Sequence, residues 1–230
     1  MSGILDDKTK EILNAEFSTA LKKPVTILIF TGISANPEYE SSAKNIIDEI
    51  VSLPSASGGK LNAQKKSILS PGNEISRYGI SSVGRTPAIV LQDSESKDTG
   101  IIFHGVPGGH EFRTFIDAIK MVSSGDSGLK AESRRVVASL KSEPPIEIKV
   151  FVTLTCPYCP AAVKLAEQFA YESKGKITAR IIDASEFSDA ASKYSIFSVP
   201  TVIINENDSS TGVPTEEEIA ERLMKFRSAV

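Results

Sequence analysis

The same run of elements is written twice in this chain. Each half reads as a helix, a short β-branched strand, a helix, a second strand, a short helix, a close pair of strands and a last helix. In the first half the helical patterns fall at 4–21, 38–53 and 110–122, and the strands at 25–30, 61–69, 88–91 and 100–103, with a loop and short helix over 71–79. In the second half the helices fall at 129–140, 157–173, 187–194 and 216–227, and the strands at 146–154, 176–182, 201–204 and 209–213. Tyr39 matches Tyr158, Pro87 matches Pro200 and Gly105 matches Gly212. A period this long lies outside solenoid repeats and marks a duplicated domain. Alternating strands and helices give an α/β class, and the closely spaced last pair of strands makes each four-stranded sheet mixed, flanked by helices.

Between the halves, Ser123-Ser-Gly-Asp-Ser-Gly128 is small, polar and turn-forming. It divides the chain into residues 1–122 and 129–230, with 123–128 as linker. Each unit is close to the usual size of a domain.

The 230 residues contain two cysteines, Cys156 and Cys159. A framework of disulfides is excluded by that count, and a C-x-x-C beside a strand–helix pattern favours redox chemistry. A zinc site needs four ligands, and only His104 and His110 remain, both in the other half. A purely structural disulfide, or two reduced thiols, are the plainer alternatives. The net charge of −3, with acids and bases interspersed, offers no footprint for nucleic acid. No apolar run approaches the roughly 18 residues that span a bilayer. The first sixteen residues are polar and helix-patterned, without the apolar core of a signal peptide. The expectation is a cytoplasmic protein with no cofactor and no metal.

The chemistry follows from position. A thiol attacks a disulfide only as its thiolate, and an ordinary cysteine, with a pKa of about 8.5, is mostly protonated at neutral pH. At the start of the helix over 157–173, Cys156 would face unsatisfied backbone N–H groups and the positive end of the helix dipole, and both favour the thiolate. Pro157 suits the first helical position, where a missing N–H costs nothing. Cys159 is one helical turn further on, within reach of a mixed disulfide on Cys156. Cys156 is therefore expected to be the nucleophile and Cys159 the buried resolving thiol, closing a Cys156–Cys159 disulfide. Tyr158 between them is either a contact for substrate or an ordinary exposed loop tyrosine.

This element order, with C-x-x-C after the first core strand and a proline opening the later hairpin, resembles the thioredoxin fold. Two such folds in tandem, with Thr155-Cys-Pro-Tyr-Cys-Pro160 and Phe103-His-Gly-Val-Pro-Gly-Gly-His-Glu-Phe112, resemble the glutaredoxin-like protein disulfide oxidoreductases. Many members of that family carry a C-x-x-C in each half. Here an alignment on Tyr39 and Tyr158 puts Pro37 and Glu40 in the place of the cysteines, so the first half has lost its site and Glu40 reads as a solvated helix-start acid. A single site in the second fold also resembles the N-terminal region of the flavin-dependent alkyl hydroperoxide reductase subunit. The resemblance implies that Pro200 is a cis-proline facing the sulfurs, that Val199 offers its backbone to an extended substrate, and that Pro157, Tyr158, Val199 and Pro200 form the substrate-binding set. Pro87 takes the matching place in the first half, where Arg85-Thr86-Pro87 either binds a client or simply packs. Thioredoxins keep a buried carboxylate six residues before the first cysteine. Position 150 is valine here, which leaves water or another group, such as Glu147 or Lys149, to handle the proton of Cys159.

The implied activity is thiol–disulfide exchange with protein clients, as an oxidoreductase. A narrower alternative is an electron carrier between a thioredoxin-reductase-like flavoprotein and a peroxiredoxin. An alternative of another class is a client-binding, chaperone-like module in which the thiols are incidental.

Overall fold

The computed structural model describes residues 3–69, 74–80, 85–141 and 143–227. Residues 71–73 of the expected loop lie outside these. The first half runs α1 (Asp7–Ala20), β1 (Val25–Thr31), α2 (Pro37–Val51), β2 (Leu61–Ser67), α3 (Glu74–Arg77), β3 (Ala88–Gln92), β4 (Asp98–His104) and α4 (Glu111–Ser124). The second repeats it as α5 (Ala131–Ala138), β5 (Ile146–Val152), α6 (Cys159–Ser173), β6 (Ile177–Asp183), α7 (Ser188–Lys193), β7 (Thr201–Ile204), β8 (Asp208–Thr211) and α8 (Glu216–Leu223).

Local chemistry sets several of the ends. Asp6 caps α1 by accepting from the Thr9 N–H at 2.6 Å. Thr215 and Glu218 form a reciprocal capping box at the start of α8. That last helix stops at Leu223 rather than near 227, and the chain tightens into a 3₁₀ turn over Met224–Phe226. α4 runs on to Ser124 and ends on Gly125, whose φ of 83° closes it in the left-handed region.

The strands of the two halves join into one sheet, ordered β2-β1-β3-β4-β6-β5-β7-β8. Within each half the pattern is the same: a parallel pair and two antiparallel pairs. The join is β4 against β6, parallel, from Ile101↔Ala179 to His104↔Ile182. Each half contributes the four-stranded mixed sheet expected from the sequence, and the two run on into one another. The sheet continues because β4 is free on one side and Gly100 lets the chains close up. A Cβ on Gly100 would lie 2.4 Å from the Ile177 carbonyl oxygen.

The duplication is visible in register. Phe30 pairs with Ala88 and Phe151 with Thr201, in each case the residue after a proline. Pro87 accepts from the Gly105 N–H at 3.1 Å, and Pro200 from the Gly212 N–H at 2.8 Å.

Alternate strand residues go to opposite faces. Ile146, Ile148, Val150 and Val152 of β5, with Val25, Ile27 and Ile29 of β1, enter one continuous core beneath α1, α2, α4, α5, α6 and α8. The other face carries two smaller cores. One gathers Leu28, Phe30, Tyr78 and Ile102, and the other Phe151, Ile182, Phe187 and Ile203 under α7. Among the described residues no helix is long and apolar enough to cross a membrane.

Candidate functional site

Cys156 and Cys159 are joined in a disulfide. β5 is buried along nearly its whole length and delivers the chain into the loop at 153–158. The helix begins later than its sequence pattern suggests. α6 starts at Cys159, with Tyr158 at the cap position and no side-chain cap. The proline of its first turn is therefore Pro160, and Pro157 lies in the loop before it. The consequence for Cys156 is unchanged in kind. Its sulfur accepts from the Cys159 N–H at 3.1 Å, taking the place a capping side chain would fill. Cys156 is 8 % exposed and Cys159 fully buried, so an incoming sulfur meets Cys156 first. Pro157 and Tyr158 are exposed beside them.

The Val199–Pro200 peptide is cis, as is Thr86–Pro87. Cys156 Sγ lies 4.0 Å from the Val199 carbonyl oxygen, so the segment before Pro200 faces the disulfide. Among the described residues the Val199 N–H has no partner. The first half differs at this point. There the Thr86 N–H donates to the Ile33 carbonyl at 2.8 Å, and the Ile33 N–H donates to Thr86 Oγ1 at 3.0 Å. The backbone that would receive a client at Arg85-Thr86-Pro87 is taken by the chain's own loop.

That loop is one residue shorter than its counterpart. Six residues separate Phe30 from the start of α2, and seven separate Phe151 from α6. Counting back from the helix starts puts Pro37 opposite Cys159 and Ser34 opposite Cys156, rather than Glu40 and Pro37. Glu40 is not simply solvated. It accepts from the Gly32 N–H at 2.7 Å and ties the shortened loop to α2.

Glu147 and Lys149 do not reach the cysteines. β5 sends Ile148, Val150 and Val152 to the α6 face, so its odd-numbered side chains lie on the other face. There Lys149 pairs with Glu147 at 2.7 Å and Glu206 at 3.0 Å, and stands over the Tyr194 ring. Arg180 pairs with Glu147 at 2.7 Å and lies 3.3 Å from buried His104, so this network spans the join between the halves.

What the sequence reading missed is the contribution of the first half. Gly109 follows β4 with φ +56°, and the next N–H, of His110, donates to the Leu154 carbonyl at 2.9 Å. Leu154 stands two residues before Cys156. A Cβ on Gly109 would meet the Leu154 oxygen at 2.2 Å. Gly109→Ala is therefore expected to destabilise the fold by at least about 2 kcal/mol, combining the left-handed φ with displacement of the cysteine loop. Urea denaturation measures it, and stability equal to wild type would contradict the contact.

The adjoining residue, Glu111, opens α4 and is 2 % exposed. Burial pushes its carboxyl up to about 7, with a smaller push from Asp183 and an opposing hydrogen bond from Thr114. Glu167 on α6 is buried, and burial with nearby Glu111 raises it well above the usual range. Burial and Asp183 likewise bring Glu186 up to about 7. The only signal of this in the sequence was the run Gly108-Gly-His-Glu111, which reads locally as a helix start.

The thioredoxin-domain family model matches residues 146–224, the half that carries both cysteines. The thioredoxin of Methanocaldococcus jannaschii is 34 % identical over 80 residues, 35 % of this chain and 94 % of that one. Two solved structures match nearly end to end. A protein disulfide oxidoreductase from Aeropyrum pernix K1 has a TM-score of 0.84 at 27 % identity, covering 99 % of this chain and 98 % of its own. The N-terminal N/C domain of alkyl hydroperoxide reductase AhpF from Enterococcus faecalis V583 has a TM-score of 0.81 at 28 % identity, covering 95 % and 99 %. The longer curated relatives extend well beyond this chain, which spans 28–38 % of their length. Fold and site together define a tandem thioredoxin-fold protein with a C-x-x-C disulfide in its second half. It belongs to the thioredoxin family.

Proposed function

We propose that the chain is a thiol–disulfide oxidoreductase acting on disulfides of protein clients, with Cys156 as nucleophile and Cys159 as resolving thiol. The observation that carries this is the disulfide at the head of α6, facing the Val199 carbonyl, with the Val199 N–H unfilled among the described residues. In the reduced protein the Cys156 thiolate attacks one sulfur of the client disulfide, and the other client sulfur leaves as a thiolate. Cys159 then attacks Cys156 of the mixed disulfide and releases the second client sulfur. The client gains two electrons and two protons, and Cys156–Cys159 is oxidised. Pro157, Tyr158, Val199 and Pro200 form the client surface, with the Val199 backbone extending a client strand. Residues 1–122 act as the cysteine-free unit, 123–128 as the joint and 129–230 as the redox unit.

A second reading is electron transfer between a thioredoxin-reductase-like flavoprotein and a peroxiredoxin. It is favoured by the closed first site and by the near-complete match to a domain of an alkyl hydroperoxide reductase. The measurement is insulin reduction by the chain with dithiothreitol as electron source, beside peroxide turnover with a flavoprotein reductase and a peroxiredoxin. Catalysed insulin reduction is the expected result. Peroxide turnover without insulin reduction selects the carrier, and neither activity overturns both.

A further inference from the structure

Phe197 is 95 % exposed, the most exposed large hydrophobic side chain among the described residues. A lone surface apolar residue needs no explanation. This one stands three residues before Pro200, on the loop between α7 and β7. The loop is tied rather than loose. The Ile196 N–H donates to Ala191 at 2.9 Å, the Ser195 N–H to Ser192 at 3.0 Å, and Thr201 Oγ1 to Ser198 at 2.7 Å. Ile196 and Val199 on either side pack into the core under α7. The ring is thus held out in water by an ordered support, which lowers the entropy cost of using it as a contact. Tyr158, 70 % exposed, stands between the two cysteines. Neither Ser195-Ile-Phe-Ser-Val-Pro200 nor Pro157-Tyr-Cys-Pro160 contains a charged residue.

The first half indicates what belongs there. At its matching edge the occupant is backbone of the chain itself, at Ile33, joined to the Thr86 N–H and Oγ1 while the Ile33 side chain stays exposed. The second half leaves the corresponding Val199 N–H open and carries an exposed aromatic residue, Phe197, two positions before it. We propose that Phe197 is a specificity-determining residue, selecting extended protein segments that carry an apolar side chain next to the reacting half-cystine. This rests on the disulfide-exchange reading and adds the kind of client. Small charged disulfides such as oxidised glutathione find no cation on these two stretches and make no use of the ring.

The test uses the full chain and three substrates: a disulfide-linked peptide with leucine flanking its cysteine, the same peptide with glycine there, and hydroxyethyl disulfide. Phe197→Ser is expected to lower kcat/KM for the leucine peptide about tenfold to a hundredfold, mainly through KM, the range that burying one phenyl ring supplies. The glycine peptide and hydroxyethyl disulfide should be turned over as by wild type, with the Cys156–Cys159 potential unchanged, and Phe197→Leu should restore most of the loss. An equal loss on all three substrates, or no loss on the leucine peptide, overturns the role of Phe197 while leaving disulfide exchange standing. Failure of the wild-type chain on all three overturns disulfide exchange and this role with it.

Discussion

Cys156→Ser is expected to reduce insulin reduction by at least about a hundredfold, because a serine hydroxyl at neutral pH supplies no comparable nucleophile. Cys159→Ser should behave differently. The first attack still occurs, but nothing resolves the mixed disulfide, and a client accumulates covalently on Cys156. The expectation rests on geometry: Cys156 is the more accessible cysteine and accepts the Cys159 N–H at the head of α6, while Cys159 is fully buried. Non-reducing electrophoresis followed by mass spectrometry reads the adduct. Retained turnover in Cys156→Ser, or equal trapping by the two variants, would show that the assignment is wrong.

Folding stability is expected to fall as pH rises from about 5 to about 8, where carboxylates of most proteins no longer titrate. Glu111 and Glu186 have ordinary values of 4.5 and are brought by burial to about 7. Burial also raises Asp183, and Glu167 goes well above its usual range. Each of these groups holds a proton in the folded chain at a pH where the unfolded chain has lost it. For Glu111 and Glu186 that stabilising contribution is complete below 4.5 and disappears as pH passes through about 7, a swing of up to about 3 kcal/mol for Glu111 alone. His104 works in the other direction. Burial and the neighbouring Arg180 keep it neutral well below 6.5, so its effect is to raise stability with pH up to 6.5. One histidine against four carboxylates leaves a net fall. Urea denaturation across this range tests it, with Glu111→Gln expected to flatten the curve and to be the more stable protein at about pH 8. A stability that rises with pH, or a Glu111→Gln curve parallel to wild type, would contradict this account.

The second expectation draws on Glu111 and His104 of the cysteine-free half, and that half was the least legible part of the sequence. Its elements were readable one by one, because β1 and β3 are short β-branched runs and α2 carries Ala43, Ile46, Ile47 and Ile50 at helical spacing. The loss of its thiols was plain, although the shortened loop after β1 moved Pro37 from the place of Cys156 to that of Cys159. Its use was hidden. The Gly109–Leu154 contact, the His110 N–H that holds the cysteine loop, and the Ile33–Thr86 closure each join residues far apart in sequence or unremarkable in composition. Glu147 and Lys149 were misplaced for a simpler reason. Proximity along a strand says nothing about face, and strand alternation carries them away from α6.

The C-x-x-C pair needed no structure to be singled out as the candidate reactive pair of the chain. Its position between a buried strand and a helix, with a proline-led hairpin downstream, was local in sequence, and local chemistry is what a sequence records directly. The same holds for the duplication and the α/β class, since both are written in the order and period of the elements. The tertiary structure decided what surrounds that pair. It joined two sheets through β4 and β6, filled one client edge from within and left the other open, and set Glu111 of one half beside the helix of the other. These depend on which free strand edge pairs, how closely glycine allows two backbones to approach, and which faces are buried. Those choices are settled by the packing of the whole chain, so they surface only once it is folded.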